Sequence, residues 1–85
     1  MNEINNLKKK IKYRATYRGT KEMDLLLGSF VRKYINSFSI KDLYDLYKLL
    51  DNSDDDLTKC VLNNDTRVKI PNNNVVNLLK NFRIV

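Results

Sequence analysis

An all-α fold, a small compact bundle of about five short helices, is predicted by three observations. Apolar residues recur at three- and four-residue intervals along most of the chain. Glycine and proline together number three in 85 residues, too few for a fold of strands and turns. Ser or Thr stands at the head of the second, third and fourth periodic runs, where its side-chain oxygen caps the first helical N–H groups. One domain over residues 1–85 is expected, with a thin core, because a 60-residue domain buries only about 60% of its unfolded surface.

In the first helix, Ile4, Leu7, Ile11 and Ala15 share a face and the intervening lysines point to solvent. Gly19 is a natural stop, able to adopt the left-handed conformation that ends helices. Thr20 caps the second helix, with Glu22 and Asp24 in the first turn, where acids suit the helix dipole. Met23, Leu27, Phe30, Val31, Tyr34, Ile35 and Phe38 form a wide apolar face, broadened by Leu25 and Leu26, which puts this helix at the centre. Gly28 in mid-helix costs about 1 kcal/mol relative to Ala, and its expected role is tight helix packing. Ser39-Ile40-Lys41-Asp42 starts the third helix, with Asp where a capping box has Glu or Gln. Its expected buried face is Ile40, Leu43, Tyr44, Tyr47 and Leu50. Ser53 to Asp56 opens a short fourth helix with Leu57, Cys60 and Val61 inward. After a polar loop through Pro71, Val75, Leu78, Leu79 and Phe82 make the last helix, and the tail beyond is expected to be loose. Links this short favour antiparallel or steeply crossed neighbours.

The composition excludes several kinds of chemistry. Without histidine the chain lacks the usual general base near neutral pH, and a Ser-His or Cys-His nucleophilic pair cannot form. Cys60 is the single thiol, so neither a Cys/His zinc site nor a disulfide framework is available, and a reducing compartment is the simpler reading. No stretch approaches the roughly 20 apolar residues needed to span a bilayer. Met1-Asn2-Glu3-Ile4-Asn5-Asn6 does not read as a signal or transit peptide, and a cytoplasmic location without membrane insertion is expected. The net charge of +6 is uneven: nine cations crowd residues 1–35, whereas the middle is rich in Asp. Such asymmetry steers a partner or an anionic ligand.

The motif Arg18-Gly19-x-x-Glu22 stands at the junction of the first two helices. As a bare pattern it reads as a glycine stop followed by an acidic first turn. It is also suited to docking. Gly19 admits a close backbone approach, Arg18 offers a planar charged fork to carboxylates or phosphates, and Glu22, one turn on, orients Arg18 or accepts a bond from a partner. Arg14, Tyr13 and Tyr17 precede it, residue types enriched at binding hot spots, although Tyr13 reads equally as a core aromatic with its hydroxyl at the rim. Glu22 and Asp24, two residues apart on a helix, point in different directions and make a poor acid–base pair. The run Lys8-Lys9-Lys10 with Lys12 reads as a solvated face. The rival reading is a small basic helical nucleic-acid-binding protein, which the acidic third and fourth helices disfavour. Asp51 to Asp56 lacks the Gly and Glu of a calcium loop and reads as a helix start. Asn64-Asp65-Thr66 is formally a glycosylation site, which matters only in a secreted chain.

From about Lys9 to Leu62 the chain resembles the SdhE-type succinate dehydrogenase assembly factors. The resemblance rests on Tyr13-Arg14-Ala15, Arg18-Gly19-x-x-Glu22, Asp24-Leu25-Leu26-Leu27-Gly28-x-Phe30, and Leu49-Leu50-Asp51 leading to Asp55-x-Leu57. It implies a chaperone-like helical protein and no enzyme, one that binds the flavoprotein subunit of succinate dehydrogenase, or in some bacteria of fumarate reductase. It would promote attachment of FAD to a histidine of that subunit. The implied partner-binding residues are Arg18, Gly19, Glu22, Asp24, Tyr13 and Arg14; Tyr17 falls at a variable place. Catalytic and metal-ligating residues are not expected. No cofactor would be permanently bound, since the FAD belongs to the partner, and the free factor would be monomeric in the bacterial cytoplasm. Cys60 stands where relatives commonly carry Trp, and is expected to be a smaller core residue.

Overall fold

Helix starts in this chain are set by side-chain caps. The computed structural model describes residues 2–16 and 18–82; Tyr17 and the tail after Phe82 lie outside them. Helix α1 spans Asn2–Thr16, α2 Lys21–Tyr34, α3 Ile40–Leu49, α4 Asp54–Leu57 and α5 Asn74–Asn81. Thr20, Ser39, Ser53 and Asn73 cap α2 to α5, each accepting the N–H of the third residue onward. Helix α4 runs on as a π-helical stretch, Thr58–Leu62, closed by the Asn63 N–H bonding the Thr58 carbonyl at 3.1 Å. Asn64 then turns left-handed at φ 51°. Among the described residues the regular elements are all helices.

Helix α1 packs on α2 and α3, and α5 closes the bundle against α3 and the π-helical stretch. Phe30, fully buried on α2, anchors the centre as expected. Its ring lies 5.0 Å from Tyr34, 6.0 Å from Phe38 and 5.4 Å from Phe82, centroid to centroid. These tilted and edge-on contacts tie the C-terminal half of α2 and the turn after it to the end of α5. Cys60 is buried in the same core, a small side chain among Leu57, Val61 and their neighbours.

Three local expectations are corrected. The buried face of α3 is Leu43, Leu46, Leu49 and Leu50, whereas Ile40 and Tyr44 are about half exposed. Helix α3 lies between α1 and α5, so its apolar stripe centres on Leu46 and the β-branched and aromatic residues of its first turn fall outside it. Leu25 is 54% exposed, so only Leu26 widens the core face of α2. Gly28 is buried, but a Cβ there would meet only the end of the Arg32 guanidinium, at 3.4 Å. Close helix contact therefore does not explain this glycine.

Candidate functional site

The junction between α1 and α2 is a short bend, Arg18 to Thr20, with Gly19, Thr20, Lys21 and Glu22 all exposed. Gly19 does not take the left-handed conformation expected of it, since neither glycine has a positive φ. The helix simply ends and Thr20 restarts it in an extended conformation, φ −116° and ψ 145°. A Cβ on Gly19 would lie 3.5 Å from Asp54 Oδ2, an ordinary contact. Alanine would therefore fit, and what glycine provides is a bare main chain facing outward.

The bend is held from beneath by Arg18. Its Nε donates to Asp54 Oδ1 at 2.7 Å, and its two terminal nitrogens donate to the carbonyls of Leu50 at 2.9 Å and Asn52 at 2.7 Å. Those carbonyls lie at the C-terminal end of α3, where helix geometry leaves oxygens without intrahelical donors and where positive charge is favoured. Asp54 uses its second oxygen on the other side of the bend, accepting from the Thr20 N–H at 2.8 Å and from its hydroxyl at 3.2 Å. Thr20 in turn accepts from the Met23 N–H, so one chain of bonds runs from α4 through the bend into α2. The Arg18 and Asp54 side chains are only 10% and 12% exposed. Burial alone pushes the Asp54 carboxyl up, but the bonds from Thr20 and Arg18 outweigh it and hold the group below the usual carboxylate range.

The expected site residues thus divide. The Arg18 fork is committed to the protein's own α3–α4 turn, and Asp54 orients it, in place of Glu22. Arg14 does similar work one turn earlier: it pairs with Asp51 and lies over the Tyr47 ring, 4.7 Å from the centroid. Glu22 is exposed and makes no hydrogen bond or ion pair among the described residues. Tyr13 is 66% exposed, which removes the core reading of its ring. Asp24 is half-buried in the first turn of α2. Tyr17 lies outside the described residues.

Sequence reading did not single out Asp54. It lies 36 residues from Arg18 within a run of three Asp residues, any of which fits the first turn of a helix. The only available signal was that the run follows Ser53, the α4 cap, and so has a fixed direction. Among the described residues, no group of acids, Cys and His could hold a metal ion, and no helix is long and apolar enough to cross a membrane.

The chain is 35% identical over 51 residues to the FAD assembly factor SdhE of Acetobacter pasteurianus, an alignment covering 60% of this chain and 47% of that one. It is 39% identical over 62 residues to the mitochondrial succinate dehydrogenase assembly factor 2 of Dictyostelium discoideum, covering 73% of this chain and 44% of that one. It spans about half the length of these curated relatives. No solved structure gives a significant match. The family model described as flavinator of succinate dehydrogenase matches residues 9–83, which takes in α2 to α5, the bend and most of α1. With the motif, the helices around it and nearly the whole chain matched together, this protein belongs to the flavinator of succinate dehydrogenase family.

Proposed function

We propose that this chain is an assembly factor that binds the flavoprotein subunit of succinate dehydrogenase, or of the related fumarate reductase, and promotes its covalent flavinylation. The bond forms within the partner, between its FAD and its own histidine; the 85 residues here contain no histidine to be flavinylated. The factor is not itself the catalyst. It lowers the barrier by holding partner segments in reactive geometry, a positioning effect that can account for several kcal/mol. The docking element is the exposed main chain at Gly19 with Glu22 and Asp24 beside it and Tyr13 nearby on α1. Arg18 and Arg14 act from below, fixing the shape of the bend.

The observation that carries this reading is an exposed glycine bend clamped from beneath by a nearly buried ion pair. A rigid surface loses little entropy on docking. The test is capture of purified flavoprotein subunit by the full chain. Gly19→Arg and Glu22→Ala should each lower capture at least tenfold with unfolding transitions like wild type. Capture unchanged in both, or unfolding caused by either, would refute the reading. Recovery of nucleic acid in place of flavoprotein, with steep salt dependence, would do so too.

A further inference from the structure

Five cations among the described residues are neutralised by carboxylates: Arg14 by Asp51, Arg18 by Asp54, Lys41 by Asp45, Lys59 by Asp55 and Arg67 by Asp65. The seam between α1 and α2 gathers cations outside these pairs. The two helices run antiparallel there, and Lys8 Nζ donates to Asn36 Oδ1 just past the end of α2 at 3.3 Å. Beside that contact is a groove of about 180 Å³, lined by Lys12, Ala15 and Thr16 of α1 and Gly28, Val31 and Arg32 of α2. Among the described residues no acid lines it, and none of Lys8, Lys12 and Arg32 belongs to an ion pair. Arg32 is held across the helix surface, its Nη2 3.3 Å from Ser29 Oγ and its Nη1 over the bare face of Gly28. The glycine that close packing does not explain is thus the floor on which a cation lies. At its other end the groove reaches Thr16, the last residue of α1, and so adjoins the bend.

We propose that this groove is a second docking subsite, which receives a carboxylate-bearing segment of the flavoprotein that the bend engages. The inference rests on the function proposed above. Two cations of one sign, Lys12 and Arg32, on either side of a groove without acids complement an acidic peptide strand whose carboxylates meet them. A nucleic-acid backbone is the poorer occupant. The groove offers two cations, Lys12 and Arg32, well short of the roughly six to ten phosphate contacts that give nucleic-acid binding its steep salt dependence.

The test measures binding of the full chain to purified flavoprotein subunit at low and at physiological salt. The double variant Lys12→Glu with Arg32→Glu should weaken binding at least tenfold at low salt and flatten its salt dependence. Lys48→Glu with Lys69→Glu, the same change of net charge away from the groove, should weaken it less than twofold. Unfolding transitions of the variants establish that they fold, and Lys12→Gln with Arg32→Gln, which adds no repulsion, should give an intermediate loss. An equal loss in both charge-reversal pairs would show a general field and overturn the subsite. So would a loss below twofold in the groove pair while Gly19→Arg abolishes binding, an outcome that leaves the proposed function standing. If wild type shows no binding, the function fails and the subsite fails with it. Retention of nucleic acid through Lys12 and Arg32 would also overturn it.

Discussion

Replacing Asp54 with Ala tests whether the bend is held from below. The substitution removes three hydrogen bonds at once: from Arg18 Nε at 2.7 Å, from the Thr20 N–H at 2.8 Å and from the Thr20 hydroxyl at 3.2 Å. A hydrogen bond to a charged group contributes roughly 1.5–3 kcal/mol, and breaking a fully buried ion pair costs about 3–5 kcal/mol. This pair is about nine-tenths buried, yet Arg18 would keep the Leu50 and Asn52 carbonyls, so the loss should stop short of the upper limit. We expect about 2–4 kcal/mol, a large share of the roughly 4–13 kcal/mol typical of a chain this size. In urea, with a slope of about 1–2 kcal/mol/M, the unfolding midpoint should fall by roughly 2 M. Asp55→Ala is the matched control: it removes only the exposed pair with Lys59 and should change stability by no more than about 0.5 kcal/mol. If the two variants lose the same small amount, the clamp contributes nothing and Arg18 is available to a partner after all.

Other substitutions separate structural from docking roles. Because the folded Asp54 carboxyl titrates below its ordinary value of about 3.9, its stabilisation is complete above that pH and fades as pH falls through the folded value. The stability gap between wild type and Asp54→Asn should therefore close below about pH 4, as read by denaturation across pH. Gly28→Ala should stabilise the free protein by about 0.5–1 kcal/mol, since the added methyl meets only a flexible guanidinium that can move aside; a raised melting temperature checks this. Phe30→Ala should cost about 3–5 kcal/mol, because it empties the centre of the ring cluster formed with Tyr34, Phe38 and Phe82; denaturation measures it. Gly19→Ala should leave stability within about 0.5 kcal/mol, as its backbone is not left-handed and its Cβ fits beside Asp54.

Much of the fold was legible because the local signals agree. Thr20, Ser39 and Ser53 are caps where the apolar spacing begins, and in the structure the side-chain oxygen of each accepts a helix N–H. The wide apolar face read for α2 is buried, with Met23, Leu27, Phe30, Val31 and Ile35 in the core, although its main helix neighbour is α1 alone. Helix phase was harder to read on α3. Ile40, Leu43, Tyr44, Tyr47 and Leu50 and the observed Leu43, Leu46, Leu49 and Leu50 are both helical stripes, and only the placement of α1 and α5 decides between them. Leu25 shows the same limit on α2, where three consecutive leucines cannot all face inward. The π-helical stretch after α4 left no trace in composition.

The candidate site was legible as a place and not as a mechanism. The motif fixed the bend, and the bend is exposed. Which of its charges face outward depends on a contact between residues 36 apart, which no local pattern encodes. Arg18 and Arg14 looked like hot-spot arginines by type, yet both turn inward to the α3–α4 corner because Asp54 and Asp51 lie within reach. Glu22, the third fixed residue of the motif, keeps its carboxylate exposed, and the outward groups of the bend are those around Gly19.

The most direct measurement is in-gel flavin fluorescence of the denatured flavoprotein subunit from cells carrying wild type, Gly19→Arg or no copy of this gene. The account predicts a bright band with wild type, and a band several-fold weaker both without the gene and with the substituted bend. Equal fluorescence in all three strains would contradict it.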